Sequence, residues 1–164
     1  MDVQPLDGDD WRLKRDLRLA ALLDSPSAFA SSHARELHRS EAEWRNWPSP
    51  GRFYAAFADP AAAGDEAARR GAVGIAAAWV AAAEPDTTHL ISMWVTPAAR
   101  GRRVAARLAE AVLGWAREHG STVVELEVAA GNDAAMAAYL RAGFTVTQRE
   151  PFTSGGTVLE LAVK

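Results

Sequence analysis

Three groups of residues have the types and spacing to do chemistry. Arg100-Gly101-Arg102-Arg103 is a basic, glycine-containing turn between an apolar strand-like run, HLISMWV, and an amphipathic stretch that opens at Arg102 to Val104. The first amides of a helix lack intrahelical acceptors and its dipole adds positive potential there, so such a turn suits a phosphate or pyrophosphate. A solvated basic turn before an ordinary crossover helix accounts for the same residues equally well. The stretch matches neither G-x-x-x-x-G-K-[ST] nor G-x-G-x-x-G, which removes the usual support for triphosphate hydrolysis and dinucleotide binding.

The second group lies in GNDAAMAAYLRAGF, where Ala135, Met136 and Tyr139 share a helix face behind Asn132, and Gly143 and Phe144 follow. Taken singly these read as an N-cap, a core aromatic and a left-handed C-cap. The third is the pair Glu125 and Glu127, which alternation in TVVELEV puts on one face of a strand. One of them near a cleft could take a proton from an ammonium, directly or through water, or bind a cation; a solvated or ion-paired strand face is the plainer reading. Glu127, nearer the C-terminal end of the strand, is the stronger candidate. In SAFASSHARE, Phe29 and Glu36 are candidates to shape a pocket, with a hydrophobic staple and a capping box as the alternatives. Trp79 and Trp94 either wall a pocket or cover the sheet; Trp11, Trp44, Trp47 and Trp115 read as packing residues.

The elements that must position these groups can be placed from periodicity. Helices are expected from Asp9 or Asp10 to Asp24, from Ser31-Ser32 to Trp47, from about Arg102 to Gly120 and from Asn132 to Ala142. Strands are expected at Arg52–Phe57, Ala72–Ala82, His89–Val95, Thr122–Val128, Phe144–Glu150 and Thr157–Val163, with a loop at Pro60–Arg70. A strand, helix, strand order from His89 to Val128 requires a parallel pair with a right-handed crossover. The fold class is α+β: one mixed sheet with helices on its faces, in a single domain over 1–164.

At 164 residues, 49% hydrophobic, the chain can bury a sizeable core. A net charge of −3 gives no global attraction to nucleic acid or an anionic membrane. The absence of cysteine excludes disulfides, thiolate metal sites and a cysteine nucleophile. His33, His38, His89 and His119 show no metal-ligand spacing, so no metal is expected, and His89 is expected at the surface. With no apolar leader and no apolar run long enough to span a bilayer, a soluble, cytoplasmic protein is expected.

The succession V-x-P-x-x-R-G-x-x-x-A, helix, strand, N-x-x-A-x-x-x-Y-x-x-x-G-F resembles the GNAT superfamily of acyl-CoA-dependent N-acetyltransferases, over roughly residues 72 to 150. The resemblance implies a mostly antiparallel sheet with one parallel β-α-β pair and helices on both faces. It implies acetyl-CoA as cosubstrate, its pantetheine arm paired along Met93-Trp94-Val95 and its pyrophosphate on the amides of Arg100, Gly101, Arg102, Arg103, Val104, Ala105 and Ala106. Asn132 would hydrogen-bond the pantetheine, Ala135 would leave room for it, and Tyr139 would face the sulfur. The chain departs from the family's [Q/R]-x-x-G-x-[G/A] turn at Arg103, where the middle glycine is usual.

Direct transfer needs a neutral amine, a stabilised oxyanion and a proton for the departing thiolate. Tyr139, a phenol with pKa about 10, would supply the proton, and a backbone N–H near Trp94 or Val95 would hold the oxyanion. Glu127 is the candidate base, and Phe29, Glu36, Trp79 and Glu127 are candidates to contact the acceptor. That acceptor is expected to be a primary amine of a small molecule. A protein N-terminus or lysine, or a non-catalytic acyl-CoA-binding module, are the alternatives. The resemblance also allows a homodimer.

Overall fold

The computed structural model describes residues 1–58 and 71–164; the expected Pro60–Arg70 loop lies outside them. Seven strands, β1 (Asp2–Leu6), β2 (Gly51–Phe57), β3 (Ala72–Val80), β4 (Thr87–Val95), β5 (Val123–Val128), β6 (Thr145–Val146) and β7 (Thr157–Ala162), form one sheet in the order β1-β2-β3-β4-β5-β7-β6. Every pairing is antiparallel except β4 with β5. The described helices are α1 (Trp11–Asp24), α2 (His33–Glu36), α3 (Glu41–Asn46), α4 (Val104–His119) and α5 (Asp133–Arg141). None is long and apolar enough to cross a membrane.

The two faces of the sheet bury different helices. On one, Val104, Leu108, Val112 and Ala116 of α4 pack over Ala76, Ala78, Leu90, Val124 and Leu126. Leu108 and Val112 are fully buried, which is worth roughly 1.5–3 kcal/mol each. On the other, Leu17 and Ala21 of α1 pack over Phe53, Ala55, Ile75, Ala77 and Trp94. The alanine run of β3 serves both faces: Ala76, Ala77 and Ala78 have no exposed surface and let helices lie close on either side.

Four sequence expectations are corrected. The N-terminal residues form an edge strand, β1, where Pro5 is tolerated because the edge leaves an N–H unneeded. The long helix expected over 31–47 is two short ones, because Ser40 starts a new helix with a capping box: its Oγ accepts from the Glu43 amide at 3.2 Å, and Glu43 Oε2 accepts from the Ser40 amide at 2.6 Å. The strand expected over 144–150 shrinks to Thr145–Val146. His89, expected at the surface, is buried. Asp10 does precede α1, but its carboxylate accepts from the Asp7 amide and caps nothing in the helix.

Gly74 of β3, paired with Val95, lies directly under Val104 and Leu108 of α4. A Cβ there would stand 2.9 Å from the Trp94 carbonyl oxygen and 2.9 Å from Val104 Cγ1. The oxygen belongs to β4 itself and cannot move aside. Gly74→Ala should therefore destabilise the fold by about 1–3 kcal/mol, measured as a fall in Tm; an unchanged Tm would show that β4 and α4 both yield to the added methyl group.

Candidate active site

β4 and β5 do not stay together. Their parallel pairing covers Thr87↔Val123, Thr88↔Val124 and His89↔Glu125 and then stops, although both strands continue. Past that point the register of β4 against β3 slips between Ile75 and Ala77, and Ser92 in the slipped stretch takes a left-handed φ of 60°. Such a bulge adds a residue and bends the strand. A cleft of about 350 Å³ opens at the parting, lined by β4, β5, α5, α1 and the segment that carries Phe29.

The strand edge facing this gap, Ile91 to Val95, has backbone groups with no partner strand on the β5 side. Arg100 to Ala106 follow directly. The Arg100 amide is occupied, donating to the Pro97 carbonyl, but those of Gly101 to Ala106 have no acceptor among the described residues. They head α4, a helix of 16 residues whose start has no side-chain cap. Gly101 and Arg103 both have positive φ, 77° and 62°. The left-handed conformation that favours glycine is thus adopted by an arginine at the position where the family turn has glycine.

Arg100 does not face the cleft. Its Nη2 donates to Asp24 Oδ2 at 2.6 Å and its Nε to the Val95 carbonyl at 3.1 Å, while Trp94 Nε1 donates to the same Asp24 oxygen at 2.8 Å. One carboxylate at the end of α1 so ties together the end of β4 and the basic turn. These bonds, from Trp94 first and then from Ser25 and Arg100, hold the Asp24 carboxyl below its ordinary value. The Trp94 side chain is spent on this knot and belongs to the core; only its backbone borders the gap. Trp79 lies opposite His89, ring centroids 5.4 Å apart, and is not part of the cleft wall.

The structure brings the remaining candidates together. Met93, Asn132, Ala135, Tyr139, Phe29, Glu36 and Glu127 all line the cleft. Asn132 caps α5, its Oδ1 accepting from the Ala135 amide at 3.3 Å, which leaves the side-chain NH₂ available. Tyr139 packs edge-to-face on Phe144, and burial pushes its phenol above the ordinary value, so it carries its proton at neutral pH. Glu127 Oε2 accepts from the Phe152 amide at 2.6 Å; Oε1 accepts from the Thr153 amide at 2.8 Å and from the Thr153 hydroxyl. The carboxylate therefore anchors the loop that carries Phe152, 84% exposed at the cleft mouth, and keeps one lone pair on Oε2.

Glu36 is fully buried, gripped by Arg18 through Nε to Oε2 at 3.0 Å and Nη2 to Oε1 at 2.8 Å, with Arg39 Nη1 at 3.5 Å. Burial would raise its carboxyl, but Arg18's hydrogen bonds and the two positive charges outweigh that and hold it below the ordinary value. Neither Arg18 nor Arg39 was singled out from sequence, although a signal existed. Positions 14, 17, 18, 21 and 22 form one helical face, and Lys14 and Arg18 sit on it among Leu17, Ala21 and Leu22. A cation on a buried stripe needs a partner. His89 is the other unexpected feature, held between Glu84 Oε2 at 3.2 Å and Glu125 Oε1 at 3.6 Å.

A strand edge open to an extended ligand, free amides at a helix head and a protonated phenol in the cleft suit the transfer of a group carried on a long phosphorylated arm. The GNAT acetyltransferase family model matches residues 19–144. The chain belongs to the GNAT acetyltransferase family. A putative acetyltransferase from Salmonella typhimurium, solved with its cofactor acetyl-CoA, superposes with TM-score 0.73 at 18% identity over 100% of this chain and 94% of that one. The GNAT domain of S. lividans PAT gives TM-score 0.72 at 20% identity, over 98% and 89%. The Escherichia coli ribosomal-protein-S18-alanine N-acetyltransferase gives 0.65 at 18%, over 99% and 93%. No curated protein matches the chain. The mixed GNAT fold expected from the sequence, with its one parallel pair, is the one observed.

Two outcomes test this geometry. Because Asp24's folded-state pKa lies below its unfolded one, its contribution is present above the unfolded value and disappears as pH falls through the folded one. The Tm gap between the protein and Asp24→Asn should be fully open near pH 7 and narrow as pH falls below the ordinary aspartate value of about 3.9; a gap independent of pH would show that the carboxylate's charge contributes nothing. Arg103→Gly should raise stability by up to about 1 kcal/mol by relieving the left-handed strain, read from thermal unfolding.

Proposed function

We propose that this GNAT protein is an N-acetyltransferase that moves an acetyl group from acetyl-CoA to a primary amine of a small molecule, directly and within a ternary complex. The observation that carries the reading is the parting of β4 from β5 beyond His89↔Glu125, which leaves the Ile91–Val95 edge beside the free amides of Gly101–Ala106. An extended arm pairs with such an edge as an added strand does, and a pyrophosphate fits a helix head flanked by the exposed arginines Arg102 and Arg103. Asn132 and Ala135 border the same space. Acetyl-CoA supplies an activated thioester whose thiolate must be protonated on leaving.

In this reading Tyr139 holds that proton, a role that burial favours by keeping the phenol neutral. A backbone N–H near Trp94 or Val95 receives the developing negative charge. Glu127 accepts the acceptor ammonium on its remaining Oε2 lone pair and takes its proton directly or through water. Phe29, Trp47 and the exposed Phe152 wall the acceptor end with aromatic surface, which supports a small acceptor over a folded protein.

Thermal unfolding with acetyl-CoA followed by thiol release on a panel of amines tests the reading. Stabilisation and amine-dependent release are expected; stabilisation with no release on any amine would make the protein an acyl-CoA-binding module, and no stabilisation at all would overturn the cofactor reading. Tyr139→Phe should lower kcat by at least about 10-fold, the small end of a general-acid effect, while leaving the shift with acetyl-CoA in place. Unchanged turnover would remove Tyr139 from the chemistry.

A further inference from the structure

The acceptor end of the cleft holds an excess positive charge with unused donors. Arg18 and Arg39 both line it and share a single carboxylate, Glu36, so one guanidinium charge is left over. The Arg18 side chain is only 7% exposed. Its faces are covered by Phe29 and Trp47, whose ring centroids lie 4.7 and 5.8 Å from Cζ, and its Nε and Nη2 are taken by Glu36. What remains is Nη1, which is buried and makes no hydrogen bond. Arg39 is stacked likewise, by Trp44 and Trp47 at 5.0 and 5.1 Å, and its buried Nη1 lies 3.5 Å from Glu36 Oε2 without a hydrogen bond.

A buried cation without its full set of acceptors is costly, and removing its desolvation penalty takes an anion with well-placed oxygens. Burial already disfavours the charge on Arg39. The same cleft is lined by a group of the opposite sign, Glu127 on β5, with one free lone pair. The lining therefore carries guanidinium groups from α1 and the segment after α2, and a carboxylate from β5.

We propose that the acceptor is an amino acid, an amine that also carries a carboxylate, docked with its carboxylate on the guanidinium groups of Arg18 and Arg39 and its amine toward Glu127. This rests on the acetyl-transfer reading and narrows it. The overall charge of −3 would favour a simple cationic amine; the local charge at the site favours a zwitterion. Arg18 and Arg39 are the residues that discriminate, because a guanidinium edge meets a carboxylate with two parallel donors and gives an uncharged amide much less.

The test uses the full chain with acetyl-CoA and sets of related acceptors: each free amino acid, α and ω, against its own C-terminal amide and its decarboxylated amine, read as thiol release. For at least one set kcat/KM for the acid should exceed that for the amide and the amine by at least about tenfold, the lower end of a hydrogen bond to a charged group. Arg39→Gln, at the more exposed of the two arginines, should collapse that ratio. Equal or better turnover of amides or decarboxylated amines overturns the inference while leaving acetyl transfer standing. So does stabilisation by acetyl-CoA with no amino acid turned over. Failure of acetyl-CoA to bind would instead overturn the reading beneath it, and the inference with it.

Discussion

The structure depends on two neighbouring strands that pair for three residues and then separate. Parallel pairing of β4 and β5 stops at His89↔Glu125, and the bulge around Ser92, with its left-handed backbone, turns β4 away. Backbone groups in a sheet interior are otherwise satisfied by the neighbouring strand, so parting creates an edge that needs a partner in the middle of the molecule. The rest of the fold is arranged around that edge. α4 starts where β4 ends, α5 borders the opening below β5, and α1 closes it from the other face.

Holding such a gap open takes fixed points on either side. Asp24 is one, binding the Trp94 indole and Arg100 and so joining α1 to the end of β4 and the basic turn. Gly74 is another, admitting α4 against the Trp94 carbonyl. On the β5 side Glu127 keeps the Phe152 loop at the mouth through its two oxygens. Each device is a single side chain or its absence, which ties the cleft's shape to a few positions.

Much of this was legible before the structure. The amphipathic stretch after Arg103 and the strand, helix, strand order predicted α4 and the parallel pair, because both rest on periodicity within one segment. The capping restart at Ser40 and the edge strand β1 were not, since a short helix and a proline-bearing strand carry weak periodic signals. At the site, Asn132, Ala135, Tyr139, Phe29, Glu36 and Glu127 converge on one cleft. Trp79, regularly paired with His89, and the Trp94 ring do not; Trp94 follows a bulge in β4 that alternation does not show. Arg18, on the buried face of α1, and Arg39, between α2 and α3, read from sequence as ordinary surface charges. Their meaning comes from stacking and from sharing one carboxylate, which only the folded chain reveals.

The central claim is that the parted β4 edge and the head of α4 receive one ligand, the arm and pyrophosphate of a coenzyme A thioester. Amide hydrogen exchange measured with and without CoA addresses it directly. The account predicts slowed exchange at amides within Ile91–Val95 and Gly101–Ala106 together, with β2 and β7 unchanged. CoA that leaves both segments exchanging at their free rates, or protects the sheet uniformly, would contradict it.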